Sequence, residues 1–364
     1  MSEKSGAEIL QLEAKFERFW RWFADHNPQL LAAISRSDKL ESEFFSMIMP
    51  ELRAIHEGIW PLVGLREGGA ELIFTADGEM KNIVFVEELV AAAPAIEGWQ
   101  FSALKPMYET RDMNIDVAGL IFDEQSLSFY ARQDANYPDE IDLVIVYKHF
   151  DADRSDDIAT GVFIFLDHLL GEINATTLID NIDISGVPDE AVDLIPIHKL
   201  KDYLHWREKE FVERYGELFF NSEEEGFSTF EAVTDDMQTL LAHINIAALR
   251  WDAKGTHPWL LRLSFMYTSL EEDGLPDAID LIMMQSVEQQ LMQLLPENKG
   301  YIPLGHEMGD GRRDWYMACK EFRNCSKAVK LLLEQHANIN MDYKIYKDKY
   351  WQTFERYAQF HEMD

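Results

Sequence analysis

Two sets of residues in this chain have types and spacings that invite chemistry. His168 and Glu172 stand four apart at the end of a helical stretch, a spacing that could offer an imidazole and a carboxylate as metal ligands on one helix side, though without a third matched partner. Arg312 and Arg313 follow the glycine-rich run Gly305-His306-Glu307-Met308-Gly309-Asp310-Gly311, where a guanidinium fork could clamp a carboxylate or phosphate. His149, Asp151 and Asp153 alternate along a strand end without a further matched partner, and His198 and His205 share a helix face without an acidic or thiolate partner spaced to complete a tetrahedron. No G-x-G-x-x-G, no phosphate-binding G-x-x-x-x-G-K-[ST] and no G-x-S-x-G elbow occurs, so neither a nucleotide loop nor an acyl-transfer nucleophile is indicated. Cys319 and Cys325 are the only cysteines, and a lone C-x5-C pair reads as two buried, reduced thiols. The expectation is therefore no cofactor and no metal.

The elements that must position these residues follow from periodicity. Ile9, Leu12, Phe16, Phe19, Trp20 and Phe23 recur at helical spacing. Asn27-Pro28 is expected to break that helix and start a second one through Ile34, with a third from Lys39 to His56. The period then becomes two, giving strands Ile59–Leu65 and Ala70–Thr75 across Glu67-Gly68-Gly69. A helix from Asn82 to Ala92 follows, then strands Gly98–Leu104, Leu120–Phe122, Leu127–Arg132 and Asp142–Phe150. Leu143-Val144-Ile145-Val146 is apolar on both faces and so central in its sheet. A helix Asp156–Leu170, a strand Ala175–Ile184 and a helix Ile197–Tyr215 come next, before the acidic stretch Asn221–Gly226, which reads as a linker.

Beyond it, a helical lead-in Asp235–Leu249 precedes strand Trp259–Thr268, helix Asp277–Leu295, strands Gly300–Met308 and Arg312–Lys320, helix Ser326–Gln335 and strand Asn340–Tyr346. That order is βαββαβ, the split βαβ of ferredoxin-like sandwiches. A closing helix from Tyr350 carries Trp351, Phe354 and Tyr357. The expected fold is α+β: an N-terminal mixed helix and sheet domain at 1–196, a connecting helix and linker at 197–226, and a ferredoxin-like domain at 227–364.

A hydrophobic fraction of 47% in 364 residues is enough for more than one packed core. No stretch approaches the ~20 apolar residues of a membrane span, and Met1–Ala14 lacks the apolar core of a secretory signal. A cytoplasmic location is expected. The formal charge of −33 repels phosphate backbones and anionic lipid, which disfavours nucleic acid and membrane as partners. That charge is uneven: Glu109–Asp193 holds 4 basic against 20 acidic residues, while Glu297–Asp364 balances 11 against 11.

The run Ala93-Pro94-Ala95-Ile96-Glu97-Gly98-Trp99-Gln100-Phe101-Ser102-Ala103-Leu104-Lys105-Pro106, with Leu169-Leu170-Gly171-Glu172 downstream, resembles the N-terminal region of a group of bacterial proteins without assigned chemistry. Trp259–Tyr346 resembles the domain-of-unknown-function family six-nine-five. The resemblance implies no catalytic residue. In outline that family is similar to the regulator of ribonuclease E activity B, an acidic inhibitor that acts by binding an enzyme.

The leading expectation is a non-enzymatic binding or regulatory protein that docks a basic protein through the Glu109–Asp193 segment, an inhibitor or immunity-type role included. One alternative is an enzyme with a site at the cleft between the domains, drawing on His168, Glu172, Arg312 and Arg313. The other is a structural oligomer component, which would carry an apolar patch on a surface helix.

Overall fold

A computed structural model describes residues 2–35, 40–111, 113–215, 220, 226–233, 239–268 and 274–360. The fold is mixed α+β. The chain divides into two compact units, 1–134 with 140–208, and 135–139 with 209–364. The predicted linker falls on 221–226, of which all but Gly226 lies outside the described residues.

The first unit begins with α1 (Ser2–Ile34), then a π-helical turn (Leu40–Phe45) running into α2 (Ser46–Ile55). The expected break at Asn27-Pro28 does not occur, and α1 passes through Pro28. Proline removes one N–H and strains one turn. Against that, Phe23 and Leu30, one on each side, are fully buried. The Asn27 amide also accepts from Trp99 Nε1 at 2.8 Å, which ties this turn to a strand.

Strands β1 (Trp60–Arg66) and β2 (Gly69–Thr75) form the predicted hairpin, and α3 (Met80–Ala91) crosses to β3 (Trp99–Ala103), parallel to β2. The α1 aromatic stripe packs on this sheet, with ring centroids 4.5 Å apart for Trp20 and Phe101 and 4.9 Å for Phe23 and Trp99. Pro61 lies on the edge strand β1, where a missing donor is tolerated.

A second sheet uses the same order of hairpin, crossover helix and parallel strand. After the small hairpin β4 (Ile115–Val117) and β5 (Leu120–Phe122) come β6 (Leu127–Arg132), β7 (Asp142–Tyr147), α4 (Ser155–Leu170), α5 (Glu172–Thr177), β8 (Asn181–Ser185) and β9 (Ile195–Pro196). The sheet order is β8-β7-β6-β9, so β7 is interior and its Leu143-Val144-Ile145-Val146 run is buried on both faces, as expected. The predicted strand Ala175–Ile184 is instead α5 followed by the shorter β8. Thr176 and Thr177 turn their hydroxyls back onto the carbonyls of Glu172 and Ile173, which satisfies them within a helical turn. Helix α6 (Leu200–Tyr215) starts in this core with Leu200 and Leu204 fully buried.

Glu172 holds the first unit together. Gly171, at φ +74°, ends α4 and re-aims the chain, so Glu172 starts α5 rather than continuing the previous helix. Its side chain is 1% exposed, and its carboxylate accepts from the Thr75 hydroxyl at 2.6 Å and from the amides of Ala76, Lys105 and Gly78 at 3.0, 3.0 and 3.1 Å. One carboxylate thus fastens the end of β2 and the strand exit after β3 to the helices of the second sheet. Glu172→Ala strands four donors and should lower unfolding free energy by about 3 kcal/mol. Urea denaturation of the full chain reads this directly, and a loss below about 1 kcal/mol would contradict the role.

The second unit is built on one six-stranded sheet in the order β10-β11-β13-β14-β12-β15. In chain order the elements are β10 (Phe227–Val233), β11 (Thr239–Asn245), α7 (Ile246–Leu249), β12 (Trp259–Met266), α8 (Ala278–Leu294), β13 (Tyr301–Gly309), β14 (Arg312–Cys319), α9 (Arg323–Gln335), β15 (Met341–Lys347) and α10 (Glu355–Phe360). The expected helical lead-in Asp235–Leu249 is corrected over its described residues, 239–249: Leu240, Ala242 and Ile244 alternate in β11, which pairs with both β10 and β13, and α7 alone is helical there, while 235–238 lie outside the described residues. Every neighbouring pair of strands is antiparallel.

Helices α8 and α9 cover one face. Trp351, Phe354 and Tyr357 cover part of the other. A bulge at Leu304 interrupts β13: Pro303 pairs with Met317, and Gly305 pairs with Tyr316. Gly305 takes φ +119°, and a Cβ there would lie 2.0 Å from the His243 carbonyl oxygen, so only glycine fits. From the bulge onward the alternation of β13 is inverted. His306 faces the helix side, and Glu307 the side of Tyr357.

Arg313, 2% exposed, donates to both carboxylate oxygens of Glu288 on α8 at 2.7 and 3.0 Å. Arg313→Met alone leaves a buried lone carboxylate and should cost about 3–5 kcal/mol, whereas Arg313→Met with Glu288→Met should recover most of that loss. A double-mutant cycle in urea measures the difference.

Candidate functional site

The four residues singled out by spacing meet different fates. Glu172 is consumed in the buried junction described above. His168 is half-buried; its Nδ1 lies 2.7 Å from the Ile164 carbonyl oxygen and its ring 5.4 Å from that of Tyr108. Arg313 is locked to Glu288. Arg312 alone stays partly open, donating through Nε to Asp314 at 2.8 Å and through Nη2 to Ser264 at 3.0 Å. His168 and Glu172 belong to the first unit, and the two arginines to the second.

The spaced metal candidates have other duties or none. Asp151 accepts from the Asp153 amide at 3.0 Å to cap the turn before α4. His149, His198 and His205 are exposed. Among the described residues no group of three His, Cys, Asp or Glu side chains converges on a point. Cys319 and Cys325 are buried and unbridged, as expected.

Two surfaces stand out instead. In the first unit, β7 and β8 run parallel and in register, so the loops that leave their carboxyl ends emerge side by side. The chain that follows β7 carries Asp151, Asp153 and Asp156, and the chain that follows β8 carries Asp189, Glu190 and Asp193, all exposed. Exposed apolar side chains occur on the second of these segments, at Val187, Val192 and Leu194, and at Ile121 on β5, whose carbonyl accepts the Tyr147 hydroxyl at 3.1 Å. Nearby Arg154 is engaged by Asp157 at 2.8 Å. Elsewhere in the segment, Asp142 and Asp183 are bound by Arg132, and Asp167 is held by Lys105 at 3.0 Å. The acidic excess thus divides into carboxylates spent on structure and a group left at one sheet end.

In the second unit, a groove of about 790 Å³ opens beside β10 and β11, lined by Phe230, Leu240 and Ala242 and by Glu307, Arg312 and Arg356. Glu307 receives the hydroxyls of Tyr316 and Tyr357 and the guanidinium of Arg356. Burial and then this carboxylate push the Tyr357 phenol up to about 12, so it remains a donor throughout the physiological range. The groove and the sheet beneath it lie wholly within one recognised segment. Residues 226–358 match DUF695, a family of unknown function. The match is wider than Trp259–Tyr346 and takes in the edge strand β10 and its neighbour β11. No curated protein and no solved structure matches the chain.

The matched segment also contains two histidines held below their ordinary ionisation. Burial, reinforced by Lys320, holds His257 down to about 4. Burial, then Arg313 and His243, holds His306 down to about 3. His257 is 3% exposed and sits against Thr256, its Nδ1 2.8 Å from that hydroxyl. The folded chain therefore refuses a proton that the unfolded chain accepts near the ordinary value of 6.5. Stability from this group is complete above that value and is lost as pH falls toward 4, by up to about 3 kcal/mol. His257→Gln should flatten the difference in unfolding free energy between pH 7 and pH 4.5 by that order, measured against the parent chain in parallel urea titrations.

Proposed function

We propose that this protein is a non-enzymatic binding or regulatory protein that docks a basic protein partner on the acidic end of the β6–β9 sheet. The observation that carries the reading is the exposure of Asp151, Asp153 and Asp156 after β7 and of Asp189, Glu190 and Asp193 after β8, the latter interspersed with exposed Val187, Val192 and Leu194. Carboxylates interspersed with apolar side chains match a partner surface of lysines or arginines beside apolar groups. The charge accelerates encounter, and the apolar contacts slow release. Two buried, unbridged cysteines support a reducing, cytoplasmic setting. Among the described residues no helix is long and apolar enough to cross a membrane.

We read the segment matched by DUF695 as ferredoxin-like. Supporting this are the β12-α8-β13-β14-α9-β15 order and the spatial sequence β13-β14-β12-β15, with the β10–β11 hairpin added beyond β13. Against an enzymatic reading, Glu172 and Arg313 are buried in structural bonds, His168 lies against a backbone carbonyl oxygen, and the Arg312 guanidinium is itself engaged by Asp314 and Ser264.

Pull-down from the native host at about 50 mM and about 300 mM salt tests the proposal. A partner recovered at low salt, weakened at high salt and lost when the six carboxylates are changed to Asn or Gln is expected. Retention of every partner by the neutralised variant would sink the reading.

A further inference from the structure

The bulge at Leu304 brings together two histidines that lie far apart in sequence. His243 on β11 and His306 on β13 are directly paired across the ladder and project to the same face. Their ring centroids are 5.6 Å apart, with planes inclined by 39°. A zinc–nitrogen bond is about 2.0–2.1 Å, and a ring centre lies about 1.2 Å from its nitrogens, so two imidazoles sharing a tetrahedral ion have centroids about 5 Å apart. The separation suits one shared ion.

The ring nitrogens are available for it. His243 Nδ1 lies 3.0 Å from Thr229 Oγ1 on the neighbouring strand. With the proton on Nδ1, the hydroxyl accepts and Nε2 keeps its lone pair, the orientation that ligating histidines commonly receive from their surroundings. Phe227 stacks on the opposite side of the His243 ring at 5.0 Å and 11°, which limits its rotation. His306 has no hydrogen-bond partner on either nitrogen among the described residues, and it is partly exposed. The neighbouring Arg313 is paired with Glu288 at 2.7 Å.

We propose that His243 and His306 form a binding site for one divalent transition-metal ion of the zinc, nickel or copper class, with water completing its coordination. Nitrogen ligands select these ions over magnesium and calcium. The site is independent of the acidic docking surface, and neither reading requires the other.

Cobalt(II) titration of the full chain, followed by its visible d–d absorption and by zinc displacement, tests the site. One equivalent of ion should bind and be displaced by zinc but not by magnesium. His243→Ala and His306→Ala should each weaken binding by about tenfold or more, and Thr229→Val by a smaller factor, with circular dichroism unchanged. If His306→Ala misfolds, His243→Ala and Thr229→Val, both on more exposed strands, still decide the matter. His198→Ala with His205→Ala should leave the spectrum intact. Absence of the absorption at millimolar cobalt, its persistence in His243→Ala, or its loss in the His198/His205 variant would each overturn the proposal.

Discussion

An acidic chain can bury a carboxylate only where donors are already waiting, and that constraint organises both units. Transfer of an ionised group from water is costly unless each oxygen is bonded. Glu172 meets the condition with one hydroxyl and three amides drawn from two other segments. Glu288 meets it with one guanidinium fork. In each case the bonded groups come from elements distant in sequence, so the carboxylate specifies a tertiary arrangement as well as stabilising it. The aromatic packing of α1 on its sheet, and the packing of Met284, Val287 and Leu291 of α8 in the second unit, then proceed around fixed points.

The same constraint sorts the remaining acidic groups. Carboxylates that find a donor, such as Asp142 and Asp183 at Arg132, become part of the framework. Those with fewer donors in reach are left to solvent, and the parallel pairing of β7 and β8 sends two such loops out at the same edge. A surface of one sign is thus a by-product of strand topology. Parallel strands release their following loops on one side, whereas an antiparallel pair would have put them at opposite ends.

Much of the framework was legible in the residues. The Asp310-Gly311 turn, with both residues at positive φ, joins β13 and β14 where turn chemistry placed it, and the four apolar residues of β7 proved interior. Helix α1 was misread because Pro28 carries a strong local rule that buried neighbours override. The segment around α5 was misread because Thr176 and Thr177 favour strands in general but bond their own backbone here. The candidate sites were less legible. His168 and Glu172 have the spacing of one helix, but Gly171 divides that spacing between two. The pairing of His243 with His306 depends on register between strands, and no search along a single element could have found it.

Leu304 is an extra residue in an otherwise regular ladder, and it acts as a phase shift. Upstream of it, even-numbered positions of β13 look toward Trp351 and Phe354; downstream, they look toward α8 and α9. Loss of this one codon would exchange the two sides for the rest of the strand. Glu307 would be carried away from its two phenols and toward the helix layer, while the imidazole at 306 would be turned away from the face it shares with His243. At this position a deletion is a more severe change than any replacement that preserves chain length.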